Sequence, residues 1–153
     1  MSKLDWSGWK VVGHVPVDSG QLMITDPCYL RDWEDNDFVS IRIYEKSDDP
    51  SVTLQWTVDF TGYDQVIKPY DKTMNDLIAE GIFVSREDTR PIDSFSYDSA
   101  CRRTIRDGAG QVTELAVATS TGWGDGLYPV HAKVEEGRIV QLRIDFDAPF
   151  LDY

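Results

Sequence analysis

Tyr128-Pro129-Val130-His131-Ala132-Lys133-Val134, then Glu135-Glu136-Gly137, then Arg138-Ile139-Val140-Gln141-Leu142-Arg143-Ile144-Asp145-Phe146, reads as an antiparallel hairpin. Val130, Ala132 and Val134 alternate with His131 and Lys133. After the turn, Val140, Leu142, Ile144 and Phe146 alternate with Gln141, Arg143 and Asp145. A period of two places the two apolar sets on one face and leaves the other face wet. Matching the apolar faces sets Val134 opposite Val140, carries His131 to Arg143 and brings Asp145 beside Pro129.

The same alternation, rich in β-branched and aromatic residues, recurs outward along the chain. It predicts strands at Trp9–Val15, Gln21–Thr25, Phe38–Glu45, Val52–Phe60, Ile82–Ser85 and Val112–Thr119, besides the two of the hairpin. Gly, Pro, Asp and Asn clusters at Pro16–Gly20, Ser47–Pro50 and Gly108–Gly110 are too close together for long helices. One segment breaks the pattern. In Thr73–Glu80, Met74, Leu77 and Ile78 recur at helical spacing, Thr73 and Asp76 form a capping-box pattern, and Gly81 stands where a helix ends. The fold class expected is mostly β, an antiparallel sandwich or barrel-like domain with one short helix near 73–80, with α+β as the alternative. Tyr97–Arg106 stays open, because Ala100, Cys101 and Ile105 would share a helical stripe while Ser94–Tyr97 alternates like a strand.

The 153 residues are 41% hydrophobic and 27% charged, enough apolar material for a packed core. No repeat, linker or low-complexity tract divides them, so 1–153 is expected to form a single domain. Fifteen Lys and Arg against 27 Asp and Glu leave a net charge of −12. Such a field repels phosphate backbones and anionic lipid, which argues against direct nucleic-acid binding and against a membrane partner. The stretch from Met1 to Trp9 has neither the basic start nor the apolar run of a secretory signal, and a cytoplasmic location is the expectation. Cys28 and Cys101 are accordingly read as reduced thiols.

Two loops stand out chemically. Gly122-Trp123-Gly124-Asp125-Gly126-Leu127-Tyr128-Pro129 alternates glycines around Trp123 and Asp125, so backbone amides could converge there, although turn chemistry alone also accounts for such glycines. It lacks the Gly-Lys-Ser/Thr of a phosphate loop. Thr25-Asp26-Pro27-Cys28-Tyr29-Leu30 displays a carboxylate, a thiol and a phenol on a segment stiffened by Pro27. An Asx-type turn capped by Asp26 explains the same residues without chemistry.

The blocks Val17–Leu22, Asp26–Tyr29, Gly122–Val130 and Ile144–Phe146 together resemble a group of uncharacterised proteins of bacteria and their phages. Its members carry a Gly-Asp-Gly-x-Tyr-Pro-Val signature followed by a hairpin ending in Asp-Phe. The resemblance implies a compact β-rich fold in which the blocks meet in space; it brings no established activity, and Asp32 to Ile92 has no counterpart in it.

Three classes of function fit these residues. The first is a non-catalytic module that binds a small molecule or a peptide through the 25–30 and 122–129 loops, using Asp26, Cys28, Tyr29, Trp123, Gly124, Asp125, Gly126 and Tyr128. The second is a hydrolase with Cys28 as nucleophile, for which only His14 and His131 could serve as base, or with a divalent ion held by Asp26, Asp125 and Asp145. The third is an acidic decoy for a basic protein partner. The run Asp32-Trp33-Glu34-Asp35-Asn36-Asp37 lacks the glycine and terminal glutamate of an EF-hand and reads as a solvated acidic loop. The sequence specifies no cofactor and no oligomeric state.

Overall fold

The structure is a computed structural model that describes residues 6–147; Met1–Asp5, part of the N-terminal stretch read above, lie outside the described residues. In chain order the elements are β1 (Trp9–Val17), β2 (Gln21–Thr25), a 3-10 helix (Pro27–Asp32), β3 (Ile43–Lys46), β4 (Asp49–Gln55), β5 (Val66–Ile67) and β6 (Lys72–Thr73). They continue as α1 (Met74–Ala79), β7 (Phe83–Ser85), α2 (Tyr97–Asp107), β8 (Ala109–Thr113), β9 (Ala116–Ser120), β10 (Gly126–Glu135) and β11 (Arg138–Ile144). The fold is mostly β, with antiparallel pairing between the strands and few short helices, as the alternation predicts. The chain packs as two compact units: Met1–Asn36 with Ile92–Tyr153, and the intervening Asp37–Pro91. No helix among the described residues is long and apolar enough to cross a membrane.

The first unit holds two three-stranded sheets, ordered β1-β10-β11 and β2-β9-β8. In the β10·β11 hairpin His131 faces Arg143, and the Asp145 amide points to the Pro129 carbonyl at 3.5 Å, as the apolar faces dictate. Val134, however, pairs with Ile139 rather than Val140, because a bulge lies between Lys133 and Val134. The extra residue shifts the pairing next to the turn, and simple alternation does not show it. The interior strand β10 buries Tyr128 and Ala132, whereas Leu142 on the edge strand β11 stays 56% exposed. Val112–Thr119, read as one strand, is two: the Thr113 hydroxyl accepts from the Leu115 amide at 3.2 Å, and the chain reverses there between β8 and β9.

The segment 97–106 is helical. Ser96 caps α2 by accepting from the Ser99 amide, Gly108 ends it at φ +74°, and Arg102–Asp98 and Arg103–Asp107 pair one turn apart. Ala100 and Cys101 are buried as a helical stripe requires, but Ile105 is 70% exposed. Thr104 turns toward β2 instead, donating to the Gln21 side-chain carbonyl at 2.9 Å. Ala100 packs with Phe95, Val112, Ala116 and Ala118 into a core of mostly small side chains.

The second unit is built around β4-β3-β7, the β5·β6 ribbon and α1. Ladder pairing begins at Ile43 and not at Phe38, and β4 covers Asp49–Gln55 rather than Val52–Phe60. The capping box is present as predicted: Thr73 accepts from the Asp76 amide while Asp76 accepts from the Thr73 amide, and Gly81 adopts φ +68°. Met74 and Leu77 of α1 are buried with Phe60, Ile67 and Phe83. Trp56 stacks on Tyr63 at 5.1 Å, and the Tyr44 and Tyr63 hydroxyls share a hydrogen bond of 2.8 Å. Burial, followed by that hydrogen bond, pushes the Tyr44 phenol up to about 12.

Candidate functional site

Strand register decides where the two predicted loops go. In the β2·β9 ladder Gln21 faces Ser120 and Thr25 faces Ala116. The 122–129 loop leaves β9 at the Ser120 end, and Asp26 leaves β2 at the Thr25 end. The two loops therefore stand at opposite ends of one ladder, separated by four strand steps of roughly 3.4 Å each. The joint site expected of the two loops is corrected accordingly: neighbouring antiparallel strands carry their outgoing connections to opposite ends.

Each loop is satisfied by its own surroundings. The Asp26 carboxylate accepts from the Cys28 amide at 2.8 Å and caps the 3-10 helix, and that amide holds the Asp26 carboxyl below the usual carboxylate range. Cys28 and Tyr29 are exposed beside it. Among the described residues no hydrogen bond joins Cys28 to His14 or His131. His131 lies instead on the β1-β10-β11 sheet against the Trp6 ring, at 5.1 Å. Asp145 pairs with Arg143 at 2.8 Å, Asp125 turns to Gly20, and no group of three His, Cys, Asp or Glu side chains gathers among the described residues. Asp26, Asp125 and Asp145 thus do not converge.

The glycine-rich loop works as a clamp. The Gly20 amide donates to Asp125 Oδ1 at 2.9 Å, and the Thr121 hydroxyl bridges the Gly20 and Gly124 carbonyls at 3.2 and 2.6 Å. Tyr128, only 3% exposed, donates its hydroxyl to the same Gly124 carbonyl at 2.8 Å. Gly20 and Gly124 both have positive φ, and a side chain on Gly20 would meet the Gly124 Cα at 3.7 Å. Gly126 enters β10 opposite Val17. Trp123 is 69% exposed and donates its indole N–H to Asp147 at 3.1 Å.

What the clamp steadies is the rim of a recess of about 170 Å³ in the first unit. Its walls are Met23 and Ala118, directly paired across β2 and β9, with Ala100 of α2 and the Trp33 ring. Ser19, Gln21, Leu22 and Tyr97 complete the lining. Apart from Gln21, Ser19 and the Tyr97 hydroxyl, that lining is apolar or aromatic. The Gln21 amide is held at both ends, donating to Cys101 Sγ at 3.0 Å and accepting from Thr104. Interaction with the Cys101 thiol holds the Tyr97 phenol above the ordinary tyrosine range, and the Asp35 carboxylate adds to the effect. The residue after Trp33 is tied on both sides of its backbone: the Glu34 amide donates to the Phe95 carbonyl and the Tyr97 amide to the Glu34 carbonyl, both at 3.0 Å. The Trp33 ring meets Phe95 edge-on at 5.1 Å.

None of Gln21, Met23, Trp33, Tyr97, Ala100 and Ala118 is among the site residues expected from sequence. Small residues are silent as site signals, and the one available cue was an isolated Trp within an acidic run that was read only as solvated surface. No family model, no curated protein and no solved structure matches the chain.

Proposed function

We propose that the protein is a non-catalytic binding module whose ligand is seated in the recess between β2, α2 and Trp33, rather than on the two loops. The observation that carries this reading is the recess itself, about 170 Å³ bordered by Ala100 and Ala118, where larger side chains would have filled the space. An apolar cavity of about 150 Å³ accepts a benzene-sized ring, so this one suits a single ring or branched apolar group on a small molecule or a peptide side chain. Fixed polar groups at the rim, Gln21 and Tyr97, orient such a group, and the Asp125 clamp keeps the Asp18–Gly20 turn in place beside it. Among the described residues no nucleophile–base pair adjoins the recess, and binding requires none.

The test is a titration with toluene, followed through the methyl resonances of Met23, Ala100 and Ala118. Saturable shifts confined to those methyls are expected. Ala118→Leu, which fills the space, is expected to abolish them while the variant stays folded. Equal binding by that variant would remove the recess from the function.

A further inference from the structure

The recess differs from an ordinary apolar hole in what surrounds it. Trp33 lies in the run Asp32-Trp33-Glu34-Asp35, so carboxylates precede and follow the ring that forms one wall. The backbone hydrogen bonds of Glu34 to Phe95 and Tyr97 bring this run beside the second aromatic wall, and the charge of the Asp35 carboxylate reaches the Tyr97 phenol. Asp32, Glu34 and Asp35 are all exposed, and the lining contains neither Lys nor Arg. Of the arginines of α2, Arg102 is paired with Asp98 and Arg103 with Asp107, and the exposed Arg31 that precedes Asp32 lies outside the lining. Two aromatic side chains, a thioether and alanine methyls, bordered at Tyr97 by the acidic Glu34–Asp35 segment that serves as the rim, suit one chemical class: a cation whose charge is wrapped in alkyl groups. The rings supply their negative faces, the apolar walls accept the alkyl groups and the acids set the sign. An anion would meet the same rim as a barrier within a chain of net charge −12.

We infer that the recess binds an alkylammonium group, the charge lying between Trp33, Tyr97 and the Glu34–Asp35 rim; this rests on the binding reading above and names its ligand class. A free quaternary amine and an alkylated lysine side chain on a peptide share this chemistry.

The experiment titrates the full chain with choline, with the uncharged isostere in which carbon replaces the quaternary nitrogen, and with a short peptide bearing trimethyl-lysine. Choline is expected to bind at least about fivefold tighter than the isostere, and its affinity, not that of the isostere, is expected to fall with added salt. Tighter binding of the peptide than of choline assigns the group to a protein partner, and the reverse assigns it to a small molecule. Glu34→Gln with Asp35→Asn, at two exposed positions outside the lining, should weaken choline about two- to threefold relative to the isostere. Trp33→Leu should erase the preference for charge, the ratio of choline to isostere affinity falling to about one. If that variant does not fold, the acid double variant and the salt dependence decide alone. Equal affinity for choline and isostere, or tighter binding of the isostere, overturns the cation inference and leaves the recess reading standing. If neither binds and toluene also fails, both fall.

Discussion

The two units pack their interiors in opposite ways. In the second, Phe60, Phe83, Met74 and Leu77 are almost completely buried, and Trp56, Tyr63 and Tyr44 pack onto them ring against ring. In the first, the buried cluster beneath α2 relies on Ala100, Ala116 and Ala118, with Val112 and Phe95 as its larger members. Large interlocking rings fill their own volume, whereas alanines bring a helix close to a sheet and leave room wherever no neighbour reaches in. The open volume of the first unit follows from that choice of residue size. The contrast separates a region built for cohesion from one that retains a space of ligand dimensions.

The contrast is most strongly challenged at Phe83. Phe83→Ala should destabilise the second unit by about 3–5 kcal/mol, since a fully buried ring is removed from between rigid neighbours, among them Tyr70. Denaturant unfolding followed by the near-ultraviolet aromatic signal measures it. A loss below about 1 kcal/mol would show that the ring cluster is loosely packed and that the two interiors do not differ as described.

A smaller effect sharpens the picture of the first unit. Asp125→Ala removes the acceptor of the Gly20 amide and should cost about 1 kcal/mol, with faster hydrogen exchange concentrated at Gly20 and its neighbours. Exchange unchanged at Gly20 would mean that Thr121 alone holds the turn.

The effect that vanishes at neutral pH is a pH dependence of the second unit. Because the Tyr44 phenol is raised from 10.0 to about 12, the folded state retains a proton that the unfolded state has begun to lose. Stability should therefore be flat up to about pH 10 and fall between about pH 10 and 12, with a slope set by the proton held only in the native state. Tyr63→Phe removes the second cause of the shift and should move the Tyr44 titration downward, read as tyrosinate absorbance. An unmoved titration would assign the whole shift to burial.

Local signals read well wherever one short stretch carries all the information. The Thr73–Asp76 capping box with Gly81 defines α1, and the alternation from Val130 to Asp145 places His131 opposite Arg143. The bulge beside Val134 escaped, because an extra residue in one strand leaves the pattern along that strand nearly intact. The helix at Tyr97–Asp107 was ambiguous because its sheet-facing side is made of Ser99, Ala100, Cys101 and Thr104, small or polar residues whose periodicity is faint, while its one large aliphatic, Ile105, faces out. The β8–β9 reversal was hidden because Thr113–Leu115 contains none of the usual turn punctuation.

The resemblance blocks show the same division more sharply. The blocks 17–22 and 122–130, which the resemblance implies are neighbours, do meet through Asp125 on Gly20, and Thr121 just before the second block adds a bond to the Gly20 carbonyl. The sequence could not tell that Asp26–Tyr29 would leave the opposite end of β2, since that follows from the register with β9 and not from the residues of the loop. Composition, charge, the short helix and the alternation of the strands are properties of neighbouring residues, and they were legible from the chain. The recess joins Met23, Trp33, Ala100 and Ala118 from distant parts of the sequence, and only the stacking of α2 on β2 and β9 brings them together. Packing acts between surfaces rather than along a chain, so the space that side chains leave unfilled has no signature until those surfaces meet.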